Sequence, residues 1–136
     1  MPGLFPNAVR DVHVKYAKNI GGCGPYAAIT VDFEPLLDGM TEFDFVNFVD
    51  EADLPSEFAE AVADGIRREL LGDVEYEWEK PLPQAGSDAL AVQVALTGAR
   101  WHELDSSERG FRQAGRLAVR AALNQDRIPK RPKRRR

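Results

Sequence analysis

Gly21-Gly22-Cys23-Gly24-Pro25-Tyr26-Ala27-Ala28-Ile29-Thr30-Val31-Asp32-Phe33-Glu34 is a chain breaker running directly into a strand. Ala27, Ile29, Val31 and Phe33 alternate with Ala28, Thr30, Asp32 and Glu34, the period of two that gives a strand one buried and one polar face. Upstream, Val12, Val14 and Tyr16 share one face while Asp11, His13 and Lys15 take the other, predicting a first strand that ends at the glycine-rich breaker. Downstream, Asp38-Gly39 marks a turn, and Phe43 and Phe45 alternate with Glu42 and Asp44 to give a third, shorter strand.

The period then changes. A helix starts around Asp53-Leu54-Pro55, where proline fits the first turn. Phe58, Ala61, Val62, Ile66 and Leu70 keep helical spacing, and Gly72 stops it. Gly65 costs this helix about 1 kcal/mol relative to alanine, which points to close packing at that position. Val74, Tyr76 and Trp78 alternate with Glu75, Glu77 and Glu79 as a possible edge strand. Pro81 to Ser87 is loop, and Leu90, Val92, Val94 and Leu96 form the last strand.

A second helix is expected from Asp105-Ser106-Ser107-Glu108, with Asp105 as N-cap and Glu108 completing a capping box. Phe111, Ala114, Ala118, Ala121 and Ala122 make one face, and Arg109, Arg112, Arg116 and Arg120 the opposite one. The order β-β-β-α-(β)-β-α, with one apolar face per element, predicts a two-layer α+β sandwich. Its sheet is mostly antiparallel or mixed, and both helices cover one side. One domain is expected over 1–126. A basic, proline-punctuated tail, expected to be flexible, follows over 127–136.

The net charge of −4 over 136 residues conceals a division. Arg127, Lys130, Arg131, Lys133, Arg134, Arg135 and Arg136 crowd into the last ten positions, so the rest carries about −11. Sixteen of the 22 acids lie between Asp32 and Glu79. A body this acidic repels phosphate backbones unless its contact surface is local and positive, which argues against a general nucleic-acid binder. The single cysteine, Cys23, forms no internal disulfide, and a cytoplasmic location is expected. No apolar run approaches the ~20 residues needed to cross a bilayer, so no membrane partner is expected.

Four segments, in this order, are similar to landmarks of domain IV of the translocase elongation factor G. Gly21-Gly22-Cys23-Gly24-Pro25-Tyr26-Ala27 resembles the family's G-G-x-G-x-Y-G loop. Phe43-Asp44-Phe45-Val46-Asn47 and Ala61-Val62-Ala63-Asp64-Gly65-Ile66 resemble its Y-E-F-I-N and A-V-D-x-G-I segments. Trp101-His102-Glu103-Leu104-Asp105-Ser106-Ser107-Glu108-Arg109-Gly110-Phe111 resembles its Y-H-x-V-D-S-S-E-x-x-F. The similarity runs from about Tyr16 to Leu123. It implies the domain IV fold with a left-handed βαβ crossover, a hand that periodicity cannot supply because about 98% of such connections are right-handed.

The resemblance also implies a site. In the family the glycine-rich and histidine loops lie together at the domain tip, which enters the small-subunit decoding region. Carried over, the tip residues are Gly21, Gly22, Cys23, Gly24, Pro25, Arg100, Trp101 and His102. Cys23 stands where the family has arginine, Ala27 replaces its closing glycine, and the Gly98–His102 turn is one residue longer than usual. No G-x-x-x-x-G-K-[ST] phosphate loop occurs, so no nucleotide or other cofactor is expected and the chain is read as a domain IV without its GTPase.

Each residue also has a plainer reading. The glycines serve either a tight hairpin or tip contact. His102 is an exposed loop side chain or an anion contact before a helix N-terminus. Trp101 either stacks on a base or anchors its loop. Asp105 and Glu108 read as caps, and the arginine stripe is a solvated face or a phosphate-contacting surface. No nucleophile–base pair or metal-ligand spacing is present, and no enzyme is expected. The expected role is a non-catalytic, translation-associated protein. It would bind the ribosome or ribosomal RNA through the tip loops and the tail. The alternative is an interaction module whose acidic region from Asp32 to Glu79 holds a basic partner, such as a ribosomal protein.

Overall fold

The alternation around Ile29 is realised as a nine-residue strand, β2 (Tyr26–Glu34), antiparallel to β1 (Val9–Ala17) on one side. On its other side it is antiparallel to β4 (Gln93–Arg100). A short β3 (Asp44–Asn47) joins the outer edge of β4 in parallel, giving a mixed four-stranded sheet of order β1-β2-β4-β3. The computed structural model describes residues 5, 7–17, 26–36, 43–74, 80–83, 85–101 and 107–127. Between β3 and β4 the chain forms α1 (Ser56–Leu71) and a 3₁₀ turn (Ser87–Leu90), and after β4 it forms α2 (Glu108–Arg127). The architecture is α+β, as the sequence predicts. β3, α1 and β4 form a parallel βαβ unit.

Registers sort the side chains. Val12, Val14, Ile29, Val31, Phe33, Val94 and Leu96 lie in one core with Val62, Ile66 and Leu70 of α1 and Ala114, Ala118 and Ala122 of α2. Phe5, ahead of β1, stacks on Phe33 at 4.8 Å between ring centroids and closes the core beside β1. β1 carries a bulge between Val9 and Val12, where Asp11 adopts φ 57, a conformation that short polar residues tolerate. The Asp11 N–H donates to Asp32 Oδ1 at 2.8 Å, which satisfies the amide displaced from the ladder.

Both helices run from one end of the sheet toward the other, and they cross at Gly65 and Gly115. A Cβ on Gly65 would lie 2.0 Å from the Arg112 carbonyl oxygen, and one on Gly115 would lie 2.4 Å from the Val62 carbonyl oxygen. Backbone therefore meets backbone, which is the reason a glycine sits inside each helix. The close packing expected at Gly65 is present.

Several boundaries differ from the sequence reading. Leu90 ends the 3₁₀ turn, and β4 starts at Gln93 and continues to Arg100. β3 begins at Asp44, one residue after Phe43. α2 starts at Glu108 with Ser107 as its cap: Ser107 Oγ accepts the Gly110 N–H at 3.1 Å, and the Ser107 carbonyl accepts the Phe111 N–H. Asp105, the expected cap, lies outside the described residues. The helix also runs past Asn124 to Arg127, so the first basic residue assigned to the tail is the last of α2. Most of the possible edge strand at 74–79 lies outside the described residues.

Gly65→Ala should lower stability by about 2 kcal/mol in urea unfolding. Overpacking at a backbone contact outweighs the gain in helix propensity of about 1 kcal/mol. A neutral or stabilised variant would contradict this close approach.

Candidate functional site

Strand register decides which loops share an end of the sheet. β1 ends at Ala17 opposite Tyr26, the start of β2, so the glycine-rich segment leaves and re-enters the sheet at that end. Arg100, the last residue of β4, pairs with Ala28 on the same end, and β3 points the same way because it is parallel to β4. The chain entering the glycine segment, the chain leaving β4 and the N-termini of both helices therefore gather at one pole. Gly21, Gly22, Cys23, Gly24, Pro25 and His102 lie outside the described residues, as do Lys130, Arg131, Lys133, Arg134, Arg135 and Arg136.

On the face of the sheet away from the helices, the row Lys15–Ala28–Arg100 crosses three strands at this pole. The next row is His13–Thr30–Gly98, in which His13 Nδ1 and Thr30 Oγ1 are 3.1 Å apart. Further down come Asp32, then Glu34 and Gln93, with Asp44 beside Gln93 on β3. Glu34 pairs with Arg10 and Asp44 accepts from Gln93, so this lower part of the face carries acids. Among the described residues the open face carries Lys15 and Arg100 near the pole and Asp32, Glu34 and Asp44 further down, with Arg10 paired to Glu34.

Trp101, 37% exposed, also makes contacts within the domain. Its indole N–H donates to the Asp53 carbonyl at 3.1 Å, and its ring meets Phe58 edge-on at 5.5 Å. Phe58 in turn stacks on Phe111 at 4.8 Å. The three rings join the end of β4 to the first turns of α1 and α2, so Trp101 anchors its segment to the domain. Beside it, Phe48, Val49, Asp50, Asp53 and residues 97–101 line an open groove of about 670 Å³. Phe48 is 68% exposed there, a large apolar side chain with no cover among the described residues.

Two members of the arginine stripe of α2, Arg116 and Arg120, are drawn into contacts with α1, while Arg109 is exposed. Arg116 is buried and pairs with Glu69 of α1 at 3.1 Å, while another of its N–H groups donates to the Asp73 carbonyl at 2.5 Å. Arg120 pairs with the second oxygen of Glu69 and donates to the Lys80 carbonyl. Glu69 is 4% exposed and holds both guanidinium groups. The sequence reading missed it, although a signal was present. Glu69 falls three residues after Ile66 and seven after Val62, on the apolar stripe of α1, where a carboxylate needs a buried partner.

With this geometry in place, residues 5–71 match the family model of elongation factor G, domain IV. The chain resembles domain IV of elongation factor G. Three of the four similar segments lie inside the match, and Trp101–Phe111 lies beyond it. A crystal structure from Thermus thermophilus superimposes with a TM-score of 0.65 at 23% identity, covering 88% of this chain. That likeness extends the shared fold through β4 and α2. This chain spans 16% of the length of that one. Among the described residues, no helix is long and apolar enough to cross a membrane.

Two substitutions separate anchoring from exposure at the domain IV-like pole. Trp101→Phe should cost about 1 kcal/mol through the lost hydrogen bond, whereas Phe48→Ala should stay within about 0.5 kcal/mol in thermal unfolding. Glu69→Ala should cost roughly 3 kcal/mol or more, because it leaves a buried guanidinium unpaired. Replacing Glu69 and Arg116 together by leucine and methionine should recover much of that loss, and failure to recover would show that the pair is not the source of the effect.

Proposed function

We propose that this domain IV-like chain is a non-catalytic, translation-associated protein that contacts the ribosome through the pole where β1, β2 and β4 present their loops. One observation carries the reading: the register that sets Arg100 in a row with Ala28 and Lys15, beside the chain entering and leaving the glycine-rich segment. An acidic body needs a local cationic contact to approach RNA, and this end of the open face supplies one. Gly21 to Pro25 and His102 extend that contact. The basic residues from Arg127 to Arg136 add attachment that is independent of RNA sequence. The domain boundary belongs to the same proposal, with a folded body over 1–126 and a basic tail that starts at Arg127, the last residue of α2, and runs to Arg136. A cytoplasmic location follows from the role.

A second reading has its own observation. Asp50, Glu51 and Asp53 are exposed next to Phe48 at the groove, which suits a basic partner protein with an apolar anchor.

Co-sedimentation with purified small ribosomal subunits tests both. At low salt the full chain should pellet with the subunits, and Arg100→Glu should weaken this about tenfold. Deleting 127–136 should flatten the salt dependence, since each lost phosphate contact removes about 0.7 to 0.9 from the log–log slope. Binding that survives the deletion and Arg100→Glu but is lost in Phe48→Ala supports the basic-partner reading. No co-sedimentation at low salt overturns the ribosome proposal.

A further inference from the structure

Among the described residues both helices lie on one face of the sheet, and nothing covers the other. Toward the end opposite the pole, that open face carries Asp32 and Glu34 of β2 and Asp44 of β3, with Asp11 exposed at the bulge of β1. Arg10 pairs with Glu34 at 3.1 Å, and Asp44 accepts from the neutral Gln93, so four carboxylates meet a single cation. The chain between β2 and β3 leaves and re-enters the sheet at this end, and its sequence adds Asp38 and Glu42. α2 starts at the pole and runs about 30 Å, the length of β2, so Arg127 lies at the far end as well. The helix packs on β1 and β2, and β1 is an edge strand.

We infer that residues 128–136 of this chain turn back round the β1 edge and dock on the acidic half of the open face. The segment carries Lys130, Arg131, Lys133, Arg134, Arg135 and Arg136 and no acid. Its length when extended, about 30 Å, is enough to pass from the helix layer round one edge strand to Asp32, and leaves too little to continue to the pole. Single exposed ion pairs are weak, but a tethered segment sits at roughly millimolar effective concentration and makes several pairs at once. The face competes with phosphate for the same cations, so RNA has to displace the tail from its own body. The basic run is then available only to a ligand more densely charged than that face. This autoinhibitory contact belongs to the free protein and does not depend on the ribosome proposal.

A nitroxide attached through Pro132→Cys in a Cys23→Ser background of the full chain tests the contact without any ribosome. At low salt it should broaden the amide signals of Asp32, Glu34 and Asp44 in ¹H–¹⁵N spectra and leave those of Thr97 to Trp101 sharp. The broadening should fade as added salt screens the pairs, and Asp32→Asn combined with Asp44→Asn should remove most of it. Without the nitroxide, the same double variant should bind a short oligoribonucleotide at least about threefold more tightly, because the tail is no longer occupied. That gain should vanish when the six cations from Lys130 to Arg136 are changed to glutamine. A gain that persists there is a general charge effect and overturns the competition. No broadening at low salt overturns the docking, as does broadening confined to residues 73–80, where Glu75, Glu77 and Glu79 offer rival acids. Broadening that passes to unlabelled copies in a mixed sample overturns the intramolecular assignment.

Discussion

The contact on which the remaining geometry depends is the crossing of α1 and α2 at Gly65 and Gly115. With carbonyl oxygens of one helix at the positions where side chains of the other would begin, neither helix can rotate or slide without a clash. The crossing fixes what meets on either side of it. Toward the helix N-termini, Phe58 stacks on Phe111 and receives the edge of Trp101. Toward the C-termini, Glu69 is brought between Arg116 and Arg120. The pole and the arginine network are consequences of one close approach.

This dependence explains what could be read from the sequence. A strand buried on one face repeats every two residues, so β2 was legible from Ala27 to Phe33. A glycine inside a helix has few reasons to be there, so Gly65 already indicated close packing. The arginine stripe was legible as a stripe but not as a contact. A repeat near 3.6 residues groups side chains on a face and says nothing about what stands opposite. The partner was Glu69, 47 positions upstream of Arg116 and on a different helix. Trp101 was ambiguous for the same reason: its hydrogen bond runs to a backbone carbonyl 48 residues away, and a carbonyl has no sequence signature.

Caps show a different limit. The capping-box spacing pointed to Asp105, whereas the described start of α2 is capped by Ser107. The choice of Ser107 sets the first turn of α2 so that Phe111 falls under Phe58. Tertiary packing overrode the cap that local spacing indicated. The parallel pairing of β3 with β4 is also invisible to alternation, which reports faces and not directions. The family resemblance was needed for that step, because it implied a βαβ unit where alternation could not.

The charge division takes on a structural meaning once the pairs are known. Arg10, Arg68, Arg116 and Arg120 are all engaged with carboxylates of the body itself. Cations neutralised in this way contribute little to the field outside the domain. The outward positive field must then come from positions such as Arg100 at the pole and from the basic run after α2. An acidic body whose body arginines are largely held in internal pairs discourages adsorption to RNA in arbitrary orientations. At the pole itself Arg100 shares its groove with the exposed Asp50 and Asp53, so the positive charge there is confined to the open face of the sheet.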